Sequence, residues 1–483
     1  MSKAMTERYS KEYTPERPTP LDLPLFLPYA CSQLQAPFDV RVNVELQDEY
    51  VSKTAEDKSK KGKSAKSTVQ HTSRTFDSPQ RQEESASAAA PLQLADDDDE
   101  PVIALTAVCD AAGALVELAF RRAPQLPRLL LKVLGMCVPF HPALARLTVR
   151  WGPLGGEALH ELAKFLPLSH ITDVCLDDSP VPECNYDLLL ERPSQLRSLS
   201  LARCQLDDRD CRLLAARLAH PLPAARTLLM LSLAANVISD DGARALAAAL
   251  RSNRALQYLN LSGNRIGDDG AGELLGSLTE FPLTHEELIT KRRRRLEYLR
   301  LRDEVTRKCH AELAAAERAQ DEFSRSGKRR QTVGGGRGGR RTSAAGHAAA
   351  AAGAGADPLA LKAQAMAGEL LGRPHADPFG AEGTVSRDGY VFSAGNPTLV
   401  ALNLSYNALG FPSLARLAAV LRYQERTRAR GGLLRVLLEG NALPVACREL
   451  ARVQELLERA LSWKLAKPPK TKPERPVGKA KSK

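Results

Sequence analysis

The sequence has few aromatic residues and no long hydrophobic run. Aromatic residues make up only 5% of the 483 residues, and this scarcity, beside abundant leucine and alanine, favours helix-rich repeats over a β-sandwich. The most leucine-rich short run, LPRLLLKVLGMCVPF, is interrupted by Lys132 and is too short to cross a bilayer. The N-terminus has no apolar segment of the kind found in signal peptides. We therefore expect a soluble protein.

Cysteine and histidine occur without the spacings that build disulfide frameworks or metal sites. The nine cysteines are scattered and odd in number, which argues against a secreted disulfide scaffold and favours a reducing compartment. His285 and Glu286 begin an H-E-x-x-H pattern, but its fifth position is Ile289. The pattern G-x-G-x-x-G at residues 334–339 has no strand before it and no helix after it. The sequence thus predicts no metal, no cofactor and no enzymatic activity.

The positive charge is concentrated in two segments. The formal net charge of the chain is +11, yet residues 283–342 hold 17 Lys or Arg against 9 Asp or Glu. Residues 464–483 hold 8 against 1, so the remaining residues are mildly acidic together. The basic character therefore belongs to two appendages and not to the whole surface.

A leucine-rich motif recurs along the chain. Copies of the template L-x-x-L-x-L-x-x-N-x-L begin at Leu144, Ile171, Leu196, Leu228, Leu256, Leu399 and Leu433, and a degenerate copy begins at Leu115. Neighbouring copies start 25–34 residues apart, except across the long gap after Leu256. A period of this length indicates stacked units, none of which is stable alone.

Each template position has a physical role. The alternating L-x-L segment predicts a short strand whose leucines point inward. The residue at position 9 turns the chain, and its side chain bonds backbone groups that the bend leaves unpaired; these residues are Cys204, Asn236, Asn264, Asn407 and Asn441. The segment ISDDGARALAAALRSN predicts a helix capped by Asp240 or Asp241 that buries Leu246, Ala249 and Leu250.

These copies resemble the ribonuclease-inhibitor-like class of leucine-rich repeat proteins, in which strand and helix alternate. The resemblance covers residues 115–282 and 396–462. It implies an α/β fold, a leucine-rich repeat solenoid (horseshoe) of about seven to eight strand–helix repeats. It also implies protein binding more than any chemistry. Across the whole chain, the order of parts resembles a poorly characterised family of such proteins, and that second resemblance implies a link to ciliated tissue and sperm.

The composition divides the chain into five parts. Residues 1–100 are predicted to be mostly disordered, although FDVRVNVEL alternates like a strand. Residues 101–282 form an N-terminal cap and repeats, 283–395 a basic helix with a Gly/Ala-rich insertion, 396–462 the last repeats with a capping helix, and 463–483 a basic tail. Leu296, Leu299 and Leu301 follow a basic run and match half of the template. The segment that contains them, residues 284–323, lacks Gly and Pro and therefore predicts a helix instead of a strand.

Two surfaces are candidates for partner binding. The first is the concave face formed by template positions 3, 5 and 7, which is small and polar in its middle. Its charged or aromatic residues are Arg146, Arg150, Trp151, Asp173, Asp177, Tyr258, Tyr406, Arg435 and Glu439. A solvated face without a partner is the plainer interpretation.

The second surface is the set of basic clusters. It comprises Lys291, Arg292, Arg293, Arg294 and Arg295, then Lys328, Arg329 and Arg330 with Arg337, Arg340 and Arg341, and finally the C-terminal tail. These clusters either serve as solvated charge or capture an acidic surface.

The leading hypothesis is a non-catalytic scaffold that docks on an acidic cytoskeletal or axonemal protein. An RNA-associated protein that uses the same basic segments, and an enzyme inhibitor acting through the concave face, are the alternatives. The expected location is the cytoplasm, in the cytosol, the cytoskeleton or the cilium, while the KRRRR run also allows nuclear import. The oligomeric state is left open.

Overall fold

The structure, a computed structural model, describes residues 17–47, 102–122, 125–330, 358–371, 377–380, 383–427, 431–444 and 447–465. The chain divides into two compact units. One comprises Met1–Thr279 with Gly395–Lys483, and the other comprises Glu280–Ala394. The predicted insertion, 283–395, covers nearly the same residues as the second unit.

The first unit contains a ten-stranded sheet with the order β1-β2-β3-β4-β5-β6-β7-β8-β12-β13. Its strands are β1 Asp39–Leu46, β2 Val102–Cys109, β3 Leu115–Arg121, β4 Arg146–Arg150, β5 Asp173–Cys175, β6 Ser198–Ser200, β7 Met230–Ser232, β8 Tyr258–Asn260, β12 Ala401–Asn403 and β13 Arg435–Leu437. Only the β2–β3 pair is antiparallel; all the other pairs are parallel. Every template copy, including the degenerate one at Leu115, supplies one of these strands.

Helices connect most of the parallel strands. They are α2 Arg128–Cys137, α3 Gly156–Phe165, α4 Asp208–Leu218, α5 Ala224–Thr227, α6 Asp240–Ser252 and α7 Asp268–Gly276, followed after the second unit by α10 Phe411–Arg426 and α11 Arg448–Leu465. Short 3-10 turns occur at Val138–Phe140, Leu166–Leu168 and Tyr186–Leu190. The template leucines of the strands and the apolar stripe of each helix form one continuous core, as the periodicity predicts.

The long gap in the repeat array does not interrupt the sheet. Strand β8 pairs directly with β12, with Tyr258 opposite Ala401. The main-chain nitrogen of Asn396 donates to the Ser277 carbonyl oxygen at 2.9 Å. Gly395 has a φ of +85°, and a Cβ there would overlap the Thr279 carbonyl oxygen. The chain therefore leaves the array and returns to it at adjacent points, so the repeats stack across the gap.

Within residues 1–100, which are predicted to be mostly disordered, the structure describes residues 17–47 as a helix followed by a strand. Helix α1, Leu23–Gln33, buries Leu23, Leu27 and Cys31 in the main core. The predicted strand at FDVRVNVEL is confirmed as β1, which pairs in parallel with β2. The helix escaped the sequence analysis because Pro24 and Pro28 lie within it and mask its apolar stripe.

The second unit combines a long helix, a shorter helix and a small antiparallel sheet. Its elements are β9 Phe281–Pro282, α8 His285–Arg330, α9 Pro358–Leu371, β10 Thr384–Arg387 and β11 Tyr390–Ser393, with the strand order β10-β11-β9. Cys309 of α8 packs against Ala363 and Ala367 of α9. The predicted helix is confirmed, but it ends at Arg330 instead of 323. The elements of the second unit after residue 357, which are α9, β10 and β11, were not predicted.

Candidate interaction surfaces

The strands place alternate side chains on opposite sides of the sheet. In β4, Leu147 and Val149 are buried, while Arg146 is exposed and Thr148 and Arg150 are half-buried. The same alternation holds at Ser198, Leu199 and Ser200 of β6. Residues at template positions 3, 5 and 7 therefore form one surface, which we name the strand face.

A buried carboxylate organises the N-terminal end of the strand face. Glu117 of β3 is only 6% exposed. Its Oε2 lies 3.2 Å from Arg146 Nη1, and its Oε1 accepts a hydrogen bond from Thr148 Oγ1 at 3.0 Å. A buried charge is tolerated when a cation and hydrogen-bond donors surround it. Glu117 was missed because its own template copy is degenerate.

The next charged residues of the strand face are matched within the protein. Arg150 Nη2 lies 3.5 Å from Asp177 Oδ2. Asp177 Oδ1 accepts hydrogen bonds from Ser200 Oγ at 2.6 Å and from the main-chain nitrogen of Ala202 at 3.0 Å. Asp173 Oδ2 accepts from Thr172 Oγ1 at 2.6 Å. The ion pair reduces the charge that Arg150 and Asp177 present to a partner, whereas Asp173 accepts a hydrogen bond from a neutral hydroxyl.

Arg150 also contacts a thiol on the same face. Its Nε and Nη2 both lie 3.4 Å from Cys175 Sγ. The pKa of Cys175 is raised, first by burial and then by the charge of Asp177, against the opposing effect of Arg150. A raised pKa keeps the thiol protonated and weakly nucleophilic at neutral pH. Cys175 is therefore a poor candidate for a catalytic cysteine.

The predicted aromatic anchors lie in two different rows. Trp151 and Tyr406 occupy template position 8, at 38% and 64% exposure, whereas Tyr258 is a half-buried residue at position 3. The Arg122 guanidinium lies 5.8 Å from the ring centroid of Trp151. Tyr406 lies over Gly440, where an added Cβ would overlap its ring. The anchors are therefore accessible but do not form one cluster.

Position 8 has a left-handed backbone in every copy of the template. Its residues are Arg122, Trp151, Asp178, Arg203, Ala235, Gly263, Tyr406 and Gly440, with φ between +49° and +71°. Only glycine adopts this conformation without strain, so the five non-glycine residues other than Arg122 hold it because the strand and the turn on either side are fixed. The sequence signal was present in Gly263 and Gly440, yet it was not recognised.

The position 9 residues form a hydrogen-bonded ladder from repeat to repeat. Asn236 Oδ1 accepts from the main-chain nitrogens of Cys204 and Leu206, at 3.0 and 3.1 Å, and its Nδ2 donates to the Leu201 carbonyl oxygen at 2.9 Å. Asn264, Asn407 and Asn441 make the equivalent bonds in their copies. Cys204 takes the place of asparagine in its own copy, and its thiol donates to the Leu176 carbonyl oxygen at 3.1 Å. These side chains satisfy buried backbone groups and are structural.

Aspartates at the first helical position link the helix starts. Asp240 Oδ1 accepts from the main-chain nitrogen of Gly267 at 2.7 Å. Asp208 and Asp268 do the same one repeat before and one repeat after. The predicted cap was wrong, since the cap of α6 is Ser239, whose Oγ accepts from the Asp241 nitrogen at 3.3 Å. Asp240 serves the next repeat because its own helix start already has a cap.

The last template copy of the strand face carries two exposed charges. Arg435 and Glu439, at positions 3 and 7 of the final copy, are both exposed. Arg435 begins β13, the far edge of the sheet. The strand face is thus charged at both ends, and its middle, from Ser198 to Ser405, is small or polar apart from Met230 and Tyr258.

The basic run at the start of α8 is divided by its packing. Lys291 Nζ donates to Thr384 Oγ1 at 2.9 Å, and Arg294 Nη1 lies 3.4 Å from Asp377 Oδ1. Arg292, Arg293 and Arg295 are exposed. The five residues therefore do not act as one cluster, because a helix turns Lys291 and Arg294 towards the rest of the second unit.

One face of α8 combines exposed cations with exposed aliphatic side chains. Ile289, Arg292, Arg293, Leu296 and Arg300 follow helical spacing and are all exposed. We name this set the α8 stripe. At 3.6 residues per turn it lies opposite Cys309, which packs against α9. The stripe is therefore available to a partner without unpacking the helix pair.

Several predicted basic residues cannot be placed. Lys328, Arg329 and Arg330 end helix α8, but their side chains lie outside the described part of the chain. Arg337, Arg340 and Arg341 and the tail after residue 465 lie outside it as well.

The described segments hold no group of three or more His, Cys, Asp or Glu side chains that could bind a metal ion. None of the helices in those segments is long and apolar enough to span a membrane.

Comparison with known proteins agrees with the repeat pattern. The family described as "Leucine Rich repeat" matches residues 224–247, 252–275 and 395–417. No curated protein matches the chain. An internalin from Listeria monocytogenes is a similar solved structure, with 11% identity over 72% of this chain and 70% of its own, at a TM-score of 0.29. The family match to three segments and the sheet, which takes one strand from each template copy, show that the chain contains leucine-rich repeats.

Proposed function

We propose that this chain is a non-catalytic scaffold that binds an acidic protein surface through the α8 stripe. The observation that carries the proposal is the exposure of Arg292, Arg293 and Arg300 beside Ile289 and Leu296 on one helix face. Stacked repeats generally present extended surfaces for protein binding. The repeat sheet then acts as a rigid frame and α8 as the contact element.

Charge matching favours the stripe over the strand face. On the strand face Arg146, Arg150 and Asp177 already have partners within the chain. Two cations of the basic run, Lys291 and Arg294, are similarly occupied. An exposed arginine that has kept its hydration can exchange water for a carboxylate of a partner, with bidentate geometry. The exposed aliphatic side chains add the apolar contact that a purely electrostatic surface lacks.

The cellular setting rests on resemblance. The order of parts along the chain is similar to that of leucine-rich repeat-containing protein 71, with links to ciliated tissue. Under this proposal the acidic partner belongs to the cytoskeleton or the axoneme, and the chain is cytoplasmic. The other basic clusters, Lys328–Arg330 and the C-terminal tail, would reinforce the same contact.

The test is a charge reversal with a matched control. Arg292→Glu with Arg293→Glu should abolish retention of acidic partners from native tissue extract at physiological salt. Arg302→Glu with Arg318→Glu changes the net charge equally on exposed positions of the same helix and should leave most retention intact. Equal retention by the two double variants would refute a role for the stripe, because only bulk charge would then matter.

RNA binding is the alternative for the same cations. A filter-binding titration would show log K falling steeply with log salt if several phosphates were contacted. A flat and weak response would exclude RNA binding.

Competition tests whether a protein partner is held by charge. Added polyglutamate should displace a protein partner from the α8 stripe at concentrations that leave aliphatic contacts unaffected.

The strand face supports a second candidate, an inhibitor-like partner site. The exposure of Trp151 and Tyr406 favours it, because aromatic side chains frequently anchor interfaces. Trp151→Ala with Tyr406→Ala, and Tyr258→Ala separately, should weaken binding of any partner that uses this face. A partner retained equally by these variants and by the native chain does not bind here.

A further inference from the structure

The last helix of the repeat array, α11, is anchored by its first part and leaves its last turn uncovered. Val453 and Leu456 are buried in the main core. Arg459 Nη2 lies 3.3 Å from Glu425 Oε1 of the preceding helix, α10. By contrast, all five residues at the end of the helix, 461–465, are exposed. We name these five residues the α11 tip. Because the helix is held by its earlier turns, side chains of the tip can be changed without disturbing its packing.

Three of the five side chains of the α11 tip are large and apolar. Leu461 is 47% exposed, Trp463 64% and Leu465 74%. At 3.6 residues per turn, Leu461 and Leu465 lie on one side of the helix and Trp463 lies roughly opposite. A groove in a partner protein receives one apolar side of a helix, which this distribution does not match. A tip that is apolar on several sides suits a lipid interface, where tryptophan is also enriched.

Positive charge accompanies the α11 tip. Residues 459–473 include five Lys or Arg and no Asp or Glu, and residues 464–483 hold 8 Lys or Arg against 1 acidic residue. The acidic residues of α11, Glu449, Glu455 and Glu458, all precede this stretch. A basic segment beside an inserted apolar element is attracted to anionic headgroups. Stable attachment to a membrane surface commonly needs two such signals, and the tip and the basic segment supply one each.

We propose that the α11 tip and the basic segment that follows it bind an anionic lipid surface. Leu461, Trp463 and Leu465 enter the interfacial region of the bilayer, while Lys464 and the lysines after it contact the charged headgroups. The helix lies at the surface and does not cross the membrane, because its earlier turns are polar or packed in the repeat array. This contact does not depend on the α8 stripe, so it gives the chain a second partner of different chemistry.

Co-sedimentation of the full chain with vesicles tests the apolar contact. The native chain should bind phosphatidylcholine vesicles that contain about one-third phosphatidylserine, and should not bind pure phosphatidylcholine. Leu461→Ser with Leu465→Ser should weaken binding to the anionic vesicles about tenfold or more. Leu213→Ser with Leu168→Ser removes leucines of matching exposure, 45% and 71%, from other positions and should leave this binding unchanged. Equal binding by the two double variants, or a native chain that does not bind anionic vesicles, would overturn the proposal.

Charge reversal tests the basic segment in the same assay. Lys467→Glu with Lys470→Glu should weaken binding to the anionic vesicles about tenfold or more, and added salt should weaken binding of the native chain. Arg302→Glu with Arg318→Glu makes the same change of net charge at exposed positions of α8 and should have a smaller effect. An equal loss in both double variants would overturn the proposal, because net charge alone would then attract the chain to the vesicles.

Tryptophan fluorescence distinguishes a lipid surface from an acidic macromolecule. The chain has two tryptophans, so Trp151→Phe leaves Trp463 as the only one. Its emission should shift to the blue with anionic vesicles and should be quenched by brominated acyl chains, because the ring enters the interface. Unchanged emission would overturn the proposal. An equal shift with polyglutamate or RNA in the absence of lipid would also overturn it, and would assign the tip to an acidic macromolecule in solution.

Discussion

The Asp240 carboxylate accepts a hydrogen bond from the main-chain nitrogen of Gly270 in the next repeat, at 3.0 Å. Gly242 and Ser413 occupy the same place opposite Asp208 and Asp268. Each aspartate thus satisfies helix-start nitrogens that have no partner inside their own helix. The helix starts are connected along the array, as the strands are connected by the sheet.

The close approach of Asp240 predicts opposite effects of alanine at two glycines of α7. A Cβ at Gly270 would lie 2.8 Å from the Asp240 Cα, which is backbone and cannot turn away. We expect Gly270→Ala to lower the free energy of unfolding by about 2 kcal/mol. At Gly272 nothing lies within 4 Å of an added Cβ, so Gly272→Ala should raise it by about 0.5–1 kcal/mol through helix propensity. Urea titrations of both variants measure the difference, and two changes of the same sign would contradict the contact.

The asparagine ladder predicts a graded series at Asn236. Asn236→Ala leaves the Cys204 and Leu206 nitrogens and the Leu201 carbonyl oxygen without their partner, and should cost about 3 kcal/mol of stability. Asn236→Cys keeps a weak donor, as Cys204 does in its own copy, and should cost clearly less. Thermal unfolding of the two variants gives the order. An alanine variant as stable as the cysteine variant would show that the thiol contributes nothing at this position.

The pKa of Asp268 predicts acid sensitivity. Burial alone would raise this pKa, but hydrogen bonds from the Ser413 hydroxyl and from the Gly410 and Ser413 nitrogens outweigh burial and lower it. A carboxylate with a lowered pKa stabilises the fold above its unfolded value of about 3.9, and this contribution is lost as the pH falls through the lower folded value. Asp268→Asn should therefore lower the free energy of unfolding at neutral pH. Below about pH 4, that free energy should fall less steeply with decreasing pH than it does in the native chain.

Urea midpoints at neutral and acid pH measure that change. Asp269→Asn, at the exposed neighbouring position, serves as the control and should decline with pH as the native chain does. If Asp268→Asn declines with pH as steeply as the native chain, the charge of Asp268 has no part in acid unfolding.

The packing of α9 on α8 predicts a different response at two alanines. Ala363 is fully buried against α8, whereas Ala365 of the same helix is exposed. Ala363→Glu places an unpaired charge in that contact and should separate the helices, at a cost of about 3 kcal/mol or more. Ala365→Glu should have an effect within about 0.5 kcal/mol. The rate of amide hydrogen exchange in residues 358–371 should rise about tenfold or more in Ala363→Glu only. If these amides stay protected in both variants, α9 does not pack on α8 through Ala363.

Local pattern predicted some parts of this molecule well and others poorly. The strand at FDVRVNVEL and the helix after Thr284 follow from alternation and from helix formers without Gly or Pro. The helix at Leu23–Gln33 did not, because it depends on a core supplied by residues one hundred positions later. The basic run was expected to act as one cluster, and Arg294 was drawn aside by Asp377, a residue 83 positions away.

The sequence by itself determined the repeats, their strands and the buried leucines and asparagines of each unit. A short period decides locally which side chains can be covered, and that is why the copies could be found before any fold was known. Tertiary structure alone decided that Asp240 caps the following helix and not its own. It also decided that Arg146 and Arg150 are matched by Glu117 and Asp177. These features join residues that are distant in sequence, and only stacking brings such groups within hydrogen-bonding range.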